Sequence, residues 1–124
     1  MEMDLRIRVR RVNGVPIIDL NGELDAYTCA RFRETMIEVI EDGSPSIVVN
    51  MMAVEYIDSS GLGTLVGGLK RASERQGAIA IVCNSPQIKK VFDITGLIKV
   101  FPTFSTESAA VRRLSERLAA VGTF

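Results

Sequence analysis

The fold of this chain is decided by residues 47–76, whose sequence is IVVNMMAVEYIDSSGLGTLVGGLKRASERQ. Ile47-Val48-Val49 is an uninterrupted apolar run, which is typical of a central strand covered on both faces. Residues 50–60 are predicted to be a loop, and residues 61–76 an amphipathic helix. The apolar positions of that helix are Leu62, Leu65, Val66, Leu69 and Ala72. A strand followed by a helix in this way is the building unit of a parallel α/β sheet.

The alternation of strands and helices continues towards the C-terminus. Residues 78–82 predict a second buried strand, and Pro86 is expected at the first position of a third helix that ends at Gly96. Residues 99–101 predict a short strand. It is expected at the edge of the sheet, because Pro102 has no N–H group to donate to a neighbouring strand. A last helix is predicted to begin near residue 105. One of its faces carries Ala110, Leu114, Leu118 and Val121.

The N-terminal part adds an antiparallel pair. Residues 5–10 alternate apolar and basic side chains, which is typical of a half-buried strand whose arginines face water. The turn signal Asn13-Gly14 leads to a second strand, predicted over 15–20 and ended by residues 22–25. Asp25 is placed to cap a first helix over 26–41. The arginines are Arg6, Arg8 and Arg10, and the apolar stripe of the helix is Cys29, Phe32, Met36 and Ile40.

The predicted element order is therefore ββαβαβαβα. Strands that alternate with helices are joined by right-handed crossovers and lie parallel, whereas the opening hairpin is antiparallel. The sequence predicts an α/β fold with a mixed, mostly parallel β-sheet and an N-terminal hairpin. A chain of 124 residues suits one domain, so residues 1–124 are expected to form a single domain with its core at about 4–121.

Composition argues against several classes of function. The chain has 15 basic and 15 acidic side chains, whereas nucleic-acid binders usually carry a clear basic excess. It has no histidine, which removes Ser-His-Asp and Cys-His catalysis and the usual zinc sites, so neither catalytic residues nor a metal are expected. Cys29 and Cys83 are expected to be buried free thiols. The first twelve residues resemble neither a signal peptide nor a membrane span, which makes the cytoplasm the expected location, without a membrane partner.

Residues 56–63, Tyr-Ile-Asp-Ser-Ser-Gly-Leu-Gly, carry the most informative chemistry, because binding sites in open α/β sheets gather at the carboxyl ends of strands. A phosphate-cradling loop is disfavoured, since Lys70 lies too far into the helix for the Walker pattern and the third glycine of the dinucleotide motif is missing. A serine hydrolase is also disfavoured, because it would need glycines two residues before and after the serine and a histidine base. Neither Ser59 nor Ser60 has both glycines, and the chain has no histidine. A plain helix-capping role for Asp58, Ser59 and Ser60 stays open on the pattern alone.

Three segments of the chain resemble one known family. Asp58-Ser59-Ser60-Gly61-Leu62-Gly63 is similar to the signature loop of the STAS domains of bacterial anti-sigma factor antagonists. Gly22-Glu23-Leu24-Asp25 resembles that family's second signature, and Ile94-Thr95-Gly96-Leu97 a third, weaker one. The predicted element order agrees with the family's fold, and the resemblance spans nearly the whole chain.

The resemblance implies a non-catalytic regulator of transcription that works by partner switching. Unphosphorylated, such a protein binds an anti-sigma factor, which is also an ATP-dependent serine kinase of the histidine-kinase-like ATPase fold, and a sigma factor is thereby released. Ser59 would be the phosphoacceptor, with Ser60 the weaker candidate, and a metal-dependent serine phosphatase would remove the phosphate. No cofactor is implied. The alternatives are a STAS module of another regulatory or transport-associated complex, and a small phosphate- or nucleotide-binding protein.

Physical arguments from the residues stand beside the resemblance. A helix dipole and free N–H groups favour negative charge at Ser59. A phosphate there would crowd like charges on a docking surface, since Asp58 is its neighbour and the family fold implies that Asp25 lies close by. The switch is expected to act at the interface, without a large change of shape. Gly63 and Gly67 leave a bare strip for close approach, either by a partner or by the protein's own elements. Tyr27 and Thr28 are expected near the same surface. The expected partner-binding residues are Asp25, Asp58, Ser59, Ser60, Gly61, Gly63 and Gly67.

Overall fold

The structure of the protein, a computed structural model, describes residues 4–121. Residues 1–3 and 122–124 of the predicted domain lie outside this range. The side chains of Leu118 and Val121 also lie outside the described part of the structure, although their backbone is within α4. The predicted order of elements is confirmed, with one additional 3₁₀ turn. The elements are β1 (Leu5–Val12), β2 (Val15–Leu24), α1 (Cys29–Glu41), β3 (Ile47–Ile57), α2 (Ser59–Ser73), β4 (Ile79–Val82), α3 (Pro86–Ile94), the 3₁₀ turn (Leu97–Lys99), β5 (Thr103–Phe104) and α4 (Glu107–Val121).

The five strands form one sheet in the order β1-β2-β3-β4-β5. β1 pairs with β2 in antiparallel orientation, and the other neighbouring strands are parallel. The hairpin turn has positive φ angles at Asn13 (52°) and Gly14 (79°), which is the conformation that an Asn-Gly dipeptide favours between twisted strands. The predicted mixed, mostly parallel sheet with an N-terminal hairpin is therefore confirmed.

Helices cover both faces of the sheet. The larger core cluster contains residues of α1, α2 and α3, including Phe32, Leu65 and Phe92. A smaller cluster places Ala110 and Leu114 of α4 on the opposite face. The carboxyl end of β2 is followed by α1 after a short turn, and that of β3 is followed at once by α2, so these two helices begin at the same edge of the sheet.

Two strands are longer than the sequence predicted. β2 was expected to end at residue 20 but runs to Leu24, and β3 was expected to end at residue 49 but runs to Ile57. The pairing of β2 with β3 contains two register shifts. Along β3, burial then falls on every third residue, namely Met51, Val54 and Ile57. This spacing hides the period-two alternation by which a half-buried strand is recognised.

Other boundaries also differ from the prediction, and α2 runs over Ser59–Ser73 instead of residues 61–76. α1 begins at Cys29 instead of residue 26, because residues 26–28 form a turn. The edge strand was expected at 99–101, but Leu97–Lys99 is a 3₁₀ turn and the strand is Thr103–Phe104, after Pro102. The Pro102 carbonyl accepts a hydrogen bond from the Ile81 N–H at 2.8 Å, so the proline joins the ladder as an acceptor, which its missing N–H still allows.

The arginine row of β1 is only partly solvated. Arg6 and Arg8 are exposed, as predicted, whereas the half-buried Arg10 pairs with Asp19 at 2.6 Å and also with Glu107 at the start of α4. The Arg10 guanidinium, as hydrogen-bond donor, holds the pKa of Asp19 below its usual value. Arg10 thus ties β1 to β2 and α4, a structural role that the alternating pattern did not reveal.

Candidate functional site

Two loops lie side by side at the carboxyl edge of the sheet. Leu24 at the end of β2 pairs with Ile57 at the end of β3, and the Asp58 N–H donates to the Leu24 carbonyl at 3.3 Å. Asp25 and Asp58 each follow one of these paired residues. The parallel pairing therefore brings together the two sequence segments that carry the family resemblance.

Asp58 is the N-cap of α2. Its backbone is extended, and its carboxylate accepts hydrogen bonds from the Ser60 N–H at 2.9 Å and the Gly61 N–H at 3.1 Å. A charged cap of this kind stabilises a helix start by roughly 1 kcal/mol. It also occupies two of the N–H groups that a free phosphate would need. The phosphate-cradling interpretation is weakened for the same reason.

The two serines of the loop differ in accessibility. Ser59 is the first residue of α2 and is exposed, and its hydroxyl has no hydrogen-bond partner among the residues that the structure describes. Ser60 is half-buried, and its carbonyl accepts the Thr64 hydroxyl at 2.9 Å. The Ser59 hydroxyl is thus the more accessible of the two to an incoming enzyme.

Asp25 holds a turn and does not cap α1 itself, contrary to the prediction. Its carboxylate accepts hydrogen bonds from the N–H groups of Tyr27 at 2.9 Å and Thr28 at 3.1 Å. The buried Thr28 hydroxyl donates to the Glu23 carbonyl at 2.8 Å. With 9% of its surface exposed, Asp25 acts mainly on its own loop. One result is that Tyr27 projects outwards and is 92% exposed.

A shallow cavity separates the two loops. It has a volume of about 410 Å³ and is lined by Glu23, Asp25, Ala26, Tyr27, Tyr56 and Asp58. Tyr56 is 50% exposed, and the prediction of a loop over 50–60 gave no reason to single it out. The predicted proximity of Asp25 and Asp58 is confirmed, and the two exposed tyrosine rings add apolar surface beside the carboxylates.

Ser59 lies at a second opening, the groove between α1 and α2, which we call the α1–α2 groove. This groove has a volume of about 650 Å³. Its lining from α2 includes Ser59, Ser60, Gly63, Thr64 and Gly67, and its lining from α1 includes Cys29, Arg33, Met36 and Ile37. Cys29 is half-buried here and not fully buried as expected. The Cys83 thiol is buried, which raises its pKa.

The glycines of α2 fall into two groups. A Cβ atom built on Gly63 or Gly67 would meet nothing within 4 Å among the described residues, so neither glycine serves packing within that part of the chain. A Cβ on Gly61 would lie 2.6 Å from the Leu24 carbonyl oxygen, and one on Gly68 would lie 2.5 Å from the Met36 sulfur. Gly61 is buried, so its expected role as a partner contact is corrected: it lets α2 approach β2. Gly68 was missed, since the sequence does not distinguish it from Gly67.

The exposed side of α2 also carries an apolar residue that the sequence analysis assigned to the core. Val66 is 42% exposed, whereas its neighbour Leu65 is completely buried. Val66 is one turn from Gly63 and adjacent to Gly67 in sequence. The surface of α2 beside Ser59 is therefore bare and weakly apolar, which suits contact with another protein.

Arginines are the charged residues that line the α1–α2 groove. Arg71 is paired with Glu41 of α1 at 2.7 Å, whereas Arg33 has no ion pair within residues 4–116. Arg33 was not among the predicted site residues, although its spacing of four from both Cys29 and Ile37 places these three residues on one side of α1. No group of three or more acidic, cysteine or histidine residues in the described part of the chain is arranged to hold a metal ion. In the same part, no helix has the length and apolar character needed to cross a bilayer.

Comparison with known proteins gives concordant matches. The family model described as the STAS domain matches residues 6–110. An anti-sigma F factor antagonist from Paenibacillus polymyxa is 33% identical over 113 residues, which cover 90% of this chain and 97% of the relative. These matches include both loops of the site.

Solved structures show the same architecture. The crystal structure of an anti-sigma factor antagonist from Mycobacterium paratuberculosis has a TM-score of 0.82 and 26% identity, over 90% of this chain and 94% of the other. The Bacillus cell fate determinant SpoIIAA in its phosphorylated form has a TM-score of 0.70 and 27% identity, over 87% of this chain and 98% of the other. One of these similar proteins is therefore known in a phosphorylated state.

Proposed function

The chain belongs to the STAS domain family, and we propose that it is an anti-sigma factor antagonist whose binding is switched off by phosphorylation of Ser59. In its unphosphorylated form it binds an anti-sigma factor in the cytoplasm, and a sigma factor is released. It performs no chemistry itself. The names of its relatives favour this proposal over a transport-associated STAS module.

One observation carries the proposal, namely the accessibility of Ser59. Its side chain is exposed, and its hydroxyl is unpaired within the described residues. It lines the α1–α2 groove at the first residue of α2. Ser60, the alternative phosphoacceptor, is half-buried. The open surface beside Ser59 includes Gly63 and Gly67, where a partner can approach the backbone of α2 closely.

The phosphorylation step requires an external kinase. The terminal phosphoryl group of ATP passes to the Ser59 oxygen, the hydroxyl proton leaves to a base of the kinase, and ADP is the other product. A serine phosphatase would reverse the modification by hydrolysis. The kinase, by the family resemblance, is the anti-sigma factor itself, with the histidine-kinase-like ATPase fold.

A phosphate would act mainly on docking and not on the fold. It adds about −1.5 to −2 charges at neutral pH beside Asp58, on a surface that must lose water when a partner binds. The N–H groups of Ser60 and Gly61 are already bonded to Asp58, so the helix start offers less compensation than its dipole alone suggests. Every ~1.4 kcal/mol of lost binding lowers affinity tenfold.

The proposal is tested by affinity capture from the source cells, using the unmodified chain and its Ser59→Ala, Ser59→Asp and Ser60→Ala variants as bait. We expect wild type, Ser59→Ala and Ser60→Ala to retain a protein of the histidine-kinase-like ATPase fold, and Ser59→Asp to lose it. Incubation of that protein with ATP and Mg²⁺ should place phosphate on Ser59 in wild type and in Ser60→Ala. Phosphate found on Ser60 alone, or equal capture by all four baits, would contradict the proposal.

A further inference from the structure

The helices α1 and α2 run side by side, and two contacts between them set their relative position. Each follows a strand of the parallel part of the sheet, so both run in the same direction. Glu41 and Arg71 form an ion pair at 2.7 Å near the ends of the two helices. Nearer the middle of the helices, the Met36 sulfur lies 2.5 Å from the position of a Cβ atom built on Gly68. These two contacts join residues 30 and 32 positions apart in the sequence. Cys29 and Ser59, which are also 30 positions apart, both line the α1–α2 groove.

An offset of 30 to 32 positions places Arg33 level with residues 63–65 of α2, four to six residues beyond Ser59. Four to six residues correspond to a rise of about 6 to 9 Å along the helix axis, a distance that an extended arginine side chain and a phosphate group can cover together. Gly63 has no side chain, and a Cβ built on it would meet nothing within 4 Å. Gly63 therefore places no side chain between Arg33 and the Ser59 hydroxyl.

The charges around Ser59 make Arg33 the available cation. Arg71 is engaged by Glu41, and Arg31 at the start of α1 is engaged by Asp4 at 2.8 Å. Arg33 is exposed and forms no ion pair within the described residues. The other titratable groups at this end of the groove are the Cys29 thiol and, next to Ser59 in sequence, the Asp58 carboxylate, which already holds two N–H groups.

We propose that Arg33 binds the phosphate of phosphorylated Ser59 within the same chain. The resulting ion pair bridges α1 and α2 and covers the α1–α2 groove near the start of α2. Guanidinium groups bind phosphate through paired, charge-assisted hydrogen bonds. The proposal rests on the proposed phosphorylation of Ser59 and adds a second means of switching: the modified groove is both anionic and covered.

The test installs phosphoserine at position 59 during translation, without any kinase, and follows the phosphate by ³¹P NMR during a pH titration. A phosphoserine has a second pKa of about 6, and a nearby guanidinium favours the dianion. We expect the pKa to lie lower in the otherwise wild-type chain than in Arg33→Gln by about 0.5 to 1 unit. Arg33→Lys should keep part of the shift. Arg75→Gln, which removes an exposed charge outside the groove, is the matched control and should keep all of it.

Equal phosphate pKa values in wild type and Arg33→Gln would overturn the proposal. A second contradicting result is that Arg33→Gln weakens partner capture of the unphosphorylated chain but leaves the phosphate pKa unchanged. Arg33 would then bind an acidic group of the partner instead of the phosphate. The outcome does not depend on the partner, because the phosphate is installed directly. If the pKa shift is present but Ser59→Asp still captures the kinase, the Arg33 bridge stands and the proposed function fails.

Discussion

The two sides of α2 use the same residue type for opposite purposes. On the inner side, Gly61 and Gly68 are buried where a side chain would collide with Leu24 or Met36. On the outer side, Gly63 and Gly67 are exposed and touch nothing that would exclude a side chain. The inner glycines are explained by the fold. The outer ones lower helix stability by about 1 kcal/mol each relative to alanine, and nothing in the described part of the unphosphorylated chain requires a glycine at either position. That contrast separates the residues that build the site from those available to a partner.

The largest expected effect comes from the inner side. Leu65→Ala removes a completely buried side chain from the main core, and we expect it to lower the free energy of unfolding by about 2 to 5 kcal/mol. Val66→Ala on the outer side should change it by no more than about 0.5 kcal/mol. Urea denaturation of both variants measures the difference, and equal losses would mean that α2 is rotated relative to the structure.

The next effect concerns the inner glycine next to the site. Gly61→Ala places a methyl group 2.6 Å from the backbone oxygen of Leu24, which cannot move without shifting β2. We expect a loss of about 1 to 3 kcal/mol of unfolding free energy. Gly68→Ala is the control and should lose less, because its collision is with the flexible end of Met36. A Gly61→Ala variant as stable as wild type would contradict the packing described for this loop.

The outer glycines should respond in the opposite direction. We expect Gly63→Ala and Gly67→Ala each to raise the free energy of unfolding by up to about 1 kcal/mol, while affinity for the captured kinase falls about tenfold, or ~1.4 kcal/mol. Thermal melting and a binding titration on the same samples give both numbers. Unchanged affinity together with increased stability would show that the partner does not dock on this side of α2.

The smallest effect lies away from both sides of α2. The Arg10 guanidinium lowers the pKa of Asp19 in the folded state below the ordinary aspartate value of 3.8. The ion pair therefore adds stability that is fully present above the ordinary pKa and is lost as the pH falls through the pKa of the folded state. Arg10→Gln should reduce stability by about 1 kcal/mol at pH 7 and weaken its dependence on pH below 4. Kinase capture should stay unchanged, which serves as the control for a loss of stability without a loss of binding.

The sequence predicted the fold and the main candidate residue, but not the surroundings of that residue. Period-two and helical spacing identified the elements and their order, and the position of Ser59 at the start of a helix followed from local pattern. The outer halves of β2 and β3 were missed because shifts in register break their alternation. The distinction between Gly61 and Gly63, and the proximity of Arg33 to Ser59, depend on how α2 packs against β2 and α1. Such contacts between distant segments leave no local signal in a single sequence.

The central claim is that the charge on Ser59 decides whether a partner binds. The most direct measurement is the affinity of the captured kinase, titrated calorimetrically against two preparations of this chain, with serine and with translationally installed phosphoserine at position 59. We expect at least a tenfold lower affinity for the phosphorylated chain and identical circular dichroism spectra for the two preparations. Equal affinities, or a loss of binding accompanied by unfolding of α2, would contradict it.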